Sequence, residues 1–214
     1  MNPPLLQVEL TLHFDRAAMT PDRLRYYQSI NSDLLPLHEP GEAPVAWVFY
    51  SSDRTESLLV SEDQIQFQSR KGTSFPRLRQ VWMRLTESFL DVMGIDSVSR
   101  VSLLYVNEIE LLDLHGFRDY VNISFDMPPA LMERIEFFRS EFRYKYEFGE
   151  IHVWLQPDWE DASESYCIQL SLESRCMDRL TRDRIQTCVQ QLHEGIKDAF
   201  HLILSKDFID RLPQ

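Results

Sequence analysis

Residues 5–14, LLQVELTLHF, alternate without a break: Leu6, Val8, Leu10, Leu12 and Phe14 take one parity, and Gln7, Glu9, Thr11 and His13 take the other. Successive side chains of a strand point to opposite faces, so this period commits the segment to a strand with one face buried and one in water. Residues 100–111, RVSLLYVNEIEL, repeat the pattern through Val101, Leu103, Tyr105, Ile109 and Leu111. So do residues 166–174, YCIQLSLES, through Tyr166, Ile168, Leu170 and Leu172. Strands with one wet face belong to antiparallel sheets. The continuously apolar VAWVFY (45–50) reads as a strand buried on both faces. The polar SSDRTE joins it to ESLLVSEDQIQFQSR (56–70), which predicts a hairpin.

Three helices stand out. Thr20 and Pro21 form a start signal for a helix near 21–35, with Leu24, Tyr27 and Leu34 on one face and Asn31 interrupting it. Leu78, Val81, Trp82, Leu85, Phe89 and Val92 recur at helical spacing and predict a helix near 75–93 that Gly94 stops. Ile185, Val189, Leu192, Ile196, Phe200 and Ile203 do the same near 182–204. PLHEPGEAP (36–44) reads as a loop, and LHGFRDYV (114–121) as a short helix. In ERIEFFRSEFRYKYEF (133–148), Phe138, Phe142, Tyr144, Tyr146 and Phe148 share a parity opposite Arg143, Lys145 and Glu147.

The order of elements predicts an α+β fold. It is a curved antiparallel sheet in two similar halves, each half followed by a long amphipathic helix packed on one face. By this reading residues 1–125 form the N-terminal half and 126–214 the C-terminal half of one compact unit, joined near 122–132.

Composition excludes several functions. The formal net charge of −12 repels phosphate backbones and disfavours nucleic acid as a partner. Six glycines and no G-x-S-x-G, P-loop or G-x-G-x-x-G leave no sign of an enzyme. Cys167, Cys176 and Cys188 are odd in number with no C-x-x-C pair, and read as small buried hydrophobes. No histidine pair has the spacing of a helical metal site, and no cofactor is implied. No stretch is long and apolar enough for a membrane span, and the first residues do not read as a signal peptide. The expected location is the cytoplasm.

PLLQVELTLHF, FPRLRQVWMRLTESFLDVM and RVSLLYVNEIEL, in that order, resemble a sporadically distributed family of bacterial proteins with no established activity. In that family an Arg-Val strand carries Tyr-x-Asn and an apolar residue two further on. The matching positions are Arg100, Val101, Tyr105, Asn107 and Ile109. The family often has a basic residue after the Asn, where this chain has Glu108. The resemblance covers about the first 125 residues and implies an accessory role, in keeping with defence-linked genes.

The candidate binding residues are Tyr105, Asn107, Arg100, Trp82, Phe138 and Trp154. Asn107 places an amide on the inward parity, either paired inside the core or facing a ligand. Arg100 reads as a salt-bridge residue at the strand's entry. Phe137, Phe138, Phe142, Tyr144, Tyr146, Phe148 and Trp154 fall on both parities, so both faces there are expected to be covered, by a helix or by another chain. The expected function is therefore non-catalytic: a regulatory or accessory protein that binds another protein, with room for a homo-oligomer. The alternative is a small-ligand binder with an apolar cavity between sheet and helix, lined by Tyr105, Asn107 and Trp82.

Overall fold

Antiparallel pairing joins β1 (Leu5–His13), β2 (Leu37–Pro40), β3 (Val45–Tyr50), β4 (Glu56–Ser61), β5 (Gln64–Ser69), β7 (Arg100–Leu111), β8 (Ser140–Tyr146), β9 (Gly149–Asp158) and β10 (Tyr166–Cys176). They make one nine-stranded sheet in the order β2-β3-β4-β5-β1-β7-β10-β9-β8. Two short strands, β6 (Ser97–Val98) and β11 (Leu180–Thr181), pair separately. The helices are α1 (Pro21–Ile30), α2 (Phe75–Met93), α3 (Arg182–Ile203) and the single turn α4 (Lys206–Ile209). This computed structural model describes residues 5–42, 45–70, 72, 74–111, 121–122, 139–158 and 166–210. The expected short helix at 114–121, apart from Val121, and the residues 133–138, Phe137 and Phe138 among them, lie outside the described residues.

The fold is α+β, with its helices packed on one face of the sheet. Residues opposite one another across an antiparallel ladder share a face. Leu58, Phe67, Leu10, Leu103 and Ser174 follow one another across β4, β5, β1, β7 and β10 in this way. Tyr105, Leu172 and Val153 continue a neighbouring row across β7, β10 and β9. All of these are buried. α3 lies against β10, β7 and β9, and α1 lies against α2.

The two long helices run antiparallel. Phe75, at the start of α2, stacks on His193 at 3.6 Å between ring centres, and Arg79 Nη1 donates to Gln190 Oε1 at 2.6 Å. At the far end Arg182 Nη2 donates to the Leu90 carbonyl at 2.8 Å, and its Nε to that of Ile95 at 2.6 Å. Gly94 ends α2 at φ 71°, a left-handed conformation that costs glycine little.

The two halves repeat one topology. In the first, β1 inserts beside β5, the last strand of the large sheet before α2; in the second, β7 inserts beside β10, the last strand of that sheet before α3. The β1–β7 pair joins the halves. By sheet topology β7 groups with β8, β9 and β10, while the join expected near 122–132 lies almost wholly outside the described residues.

Three local expectations need correction. The first helix stops at Ile30, where Asn31 caps it: its Nδ2 donates to the Tyr27 carbonyl and to Ser88 Oγ, both at 3.0 Å. The loop at 36–44 contains the edge strand β2, paired with β3. β3 is not buried on both faces. Phe49 is buried, but Trp47, Val48 and Tyr50 are half-buried, because only one side of the sheet carries the helices.

Candidate interaction surface

The sheet face away from α2 and α3 is built from the second parity of each strand. One row crosses it as His152, Glu173, Leu104, Glu9 and Gln68, and the next as Glu150, Arg175, Ser102, Thr11 and Gln66. The strand alternation that fills the core therefore also lines up this polar face.

At one end of it, the His152 ring lies 3.8 Å, centre to centre, from the ring of Trp154. Arg143 Nε donates to His152 Nε2 at 3.0 Å, while Glu141 Oε1 stands 2.7 Å from the same nitrogen. His152 Nδ1 has no hydrogen-bond partner, although the residue is only 3% exposed. His152 takes the outward parity of β9, but the side chain is sealed by its neighbours. Arg175 donates to Glu173 Oε2 at 2.5 Å and stands 3.8 Å from Glu150 Oε1. The Glu173 carboxylate raises the Arg175 pKa further above its ordinary value.

Glu9 occupies the middle of the face. Its carboxylate accepts from the amides of Gln7, Gln66 (2.6 Å) and Gln68 (3.1 Å). Burial nevertheless raises the Glu9 pKa above the usual carboxylate value, and the nearby Glu173 charge adds to this. Trp154, Leu104, Val106, Leu59 and Val48 are half-buried among these polar groups. The surface thus mixes paired charges of both signs with apolar patches.

No family model matches this chain, and no curated protein matches it. Among solved structures, Methanococcus jannaschii TBP is similar at 14% identity, over 92% of this chain and 99% of that one, with a TM-score of 0.37. A structure described as KH domains is similar at 11% identity, over 99% of this chain and 66% of that one, with a TM-score of 0.23. Neither likeness bears on what this chain binds.

The sequence candidates divide between the two faces. Tyr105, Asn107 and Trp82 lie on the helix side, while Arg100 and Trp154 lie on the other. Tyr105 Oη is 2.8 Å from His193 Nδ1, and burial raises the phenol pKa. Burial pushes the His193 imidazole down to about 4. Asn107 is 1% exposed; its Nδ2 donates to the Leu170 carbonyl at 3.2 Å, and its Oδ1 has no partner. The amide is half satisfied within the core. Trp82 is fully buried with its indole N–H unpartnered.

Trp82 does not share a site with Asn107. It lies two turns beyond Phe75, about 10 Å along the axis, and α2 continues from there toward Phe14, which packs on Phe89 5.7 Å away. Phe14 lies by the start of β7, since His13 is paired with Arg100, whereas Asn107 lies toward its end. One cleft of about 650 Å³ lies between α2 and α3, and another of about 500 Å³ lies at the β8–β9 turn. Neither is lined by Tyr105, Asn107 or Trp82. Arg100 meets His13 in place of a carboxylate, and the guanidinium charge helps lower the His13 pKa, after burial.

Sequence reasoning missed His152, Glu173, Arg175 and His193 as partners in these clusters. Their parity is legible, but which residues stand opposite them depends on strand order and register.

Proposed function

We propose that the chain is a non-catalytic accessory protein that docks a partner protein on the sheet face opposite α2 and α3. The observation that supports this is Trp154, half-buried against His152 and opposite Glu141, with Arg143 and Glu173 on either side of His152. Protein interfaces place aromatic and arginine anchors among polar groups in this manner. The intermingled charge signs suit a partner surface that also carries both, and the net charge of −12 disfavours a phosphate backbone. No helix of the described residues is long and apolar enough to cross a membrane.

Native mass spectrometry of the chain purified gently from its own cells tests the reading. The expected result is a stoichiometric protein partner, lost from Trp154→Ala and retained by Leu202→Ala, since Leu202 is exposed on α3. A bare chain, a reproducible small mass in place of a protein, or a partner indifferent to Trp154 overturns it.

A further inference from the structure

The two edges of the sheet differ. β2 is four residues long, ends in Pro40 and follows Pro36, so one edge is short and poor in donors. β8 runs for seven residues, SEFRYKY, with no proline, glycine or register shift against β9, and among the described residues nothing pairs with its outer side. Tyr146 pairs with Gly149 across the two-residue turn Glu147–Phe148. Hydrogen-bonded and non-hydrogen-bonded pairs alternate from that closing pair. The N–H and C=O groups of Glu141, Arg143 and Lys145 therefore point away from β9, into the free edge.

We infer that a second copy of this chain pairs with β8, antiparallel about a two-fold axis at Arg143, so that one sheet runs through both copies. The charges select this register. A two-fold axis perpendicular to the sheet keeps each parity on its own face, which leaves registers centred on a residue. Centring on Arg143 sets Glu141 opposite Lys145 of the second copy, twice, and brings Arg139, just before one β8, toward Glu147 in the turn after the other, also twice. The one like pair is Arg143 with itself, and each Arg143 lies 3.8 Å from its own Glu141. Centring on Phe142 sets Glu141 against Arg143 but also Arg139 against Lys145, so its opposite and like pairs cancel, and centring on Tyr144 sets Glu141 against Glu147 and Arg143 against Lys145. Lys145 and Glu147 are exposed and have no ion-pair partner among the described residues, so the second copy supplies one for each. On the helix side the same register sets half-buried Phe142 against Tyr144. This pairing uses the backbone edge of β8, while Glu141 and Arg143 also belong to the cluster around His152.

Sedimentation velocity of the purified full chain across micromolar concentrations tests it, with a dimer of twice the 25.4 kDa chain mass expected. Arg143→Pro removes an edge N–H that β9 does not use, and should leave a folded monomer. Glu141→Lys sets like charges opposite each other twice and should weaken the dimer about tenfold. Adding Lys145→Glu restores opposite pairs and should restore the dimer, although it does not restore the Glu141–His152 contact. A chain that stays monomeric, a dimer that survives Arg143→Pro, or a double variant as weak as Glu141→Lys overturns the inference.

Discussion

The Tyr146 ring lies on the backbone of Gly195: a Cβ at 195 would stand 2.9 Å from Cε2 and Cζ of the ring. Tyr146 Oη also lies 2.6 Å from Ser174 Oγ. One contact thus ties β8 through β10 to the middle of α3. Alanine is favoured over glycine inside a helix by about 1 kcal/mol, but overpacking costs about 1–3 kcal/mol. Gly195→Ala should therefore destabilise the protein, by about 1 kcal/mol, and should become stabilising in a Tyr146→Ala background. Urea unfolding of the four proteins reads the change of sign.

Gly149 is a sharper case. A Cβ there would run into the Arg175 carbonyl oxygen, a backbone atom that cannot rotate away. Gly149→Ala should force β9 and β10 apart and cost about 3 kcal/mol. The check is the urea midpoint at unchanged m-value.

Asn107 is buried with its Oδ1 unpartnered, so the position tolerates no further polarity. Asn107→Asp should cost about 3 kcal/mol at neutral pH, because an unpaired charge would be buried. Burial raises an aspartate pKa, so the deficit should shrink as pH falls and the carboxyl takes a proton. Denaturation at pH 7 and pH 5 distinguishes this from simple loss of packing, which would not depend on pH.

His193 gives the opposite sign. Burial lowers its pKa from 6.5 to about 4, with Glu194 opposing the shift and Lys197 and Arg79 adding to it. The folded state prefers the neutral ring, so the contribution is fully present above about pH 6.5 and is lost as pH falls toward 4. The stability difference between wild type and His193→Gln should change across that window and level off outside it. An NMR titration should show the His193 ring still neutral at pH 5.5.

The strands and long helices were legible because each is written in a local period. The alternation at 5–14 and 100–111 and the stripe from Leu78 to Val92 need no knowledge of the rest of the chain. Gly94 as a stop and Thr20 as a start were equally local, and Thr20 Oγ1 accepts from the Arg23 N–H at 3.4 Å. β2 was not legible, since Pro36, Pro40 and Gly41 read as a loop and only the neighbouring β3 makes the segment a strand. Asn31 appeared to interrupt a helix and instead ends one.

The candidate site was less legible than the fold. Periodicity shows which residues share a face of one strand, and it placed Tyr105 and Asn107 inward. It cannot say which strands are neighbours. Arg100 meets His13 because β1 lies beside β7, across 87 positions of sequence. Trp82 and Asn107 share a side of the sheet but not a place along it, because α2 runs away from Phe75 toward Phe14. The sequence by itself determined the long strands and the two long helices, their buried faces and an acidic chain, since these follow from local spacing and composition. The strand order, the grouping of β7 with the second half and the clusters around His152 and Tyr105 were decided by the tertiary structure alone. They arise where long-range pairing sets one strand's register against another.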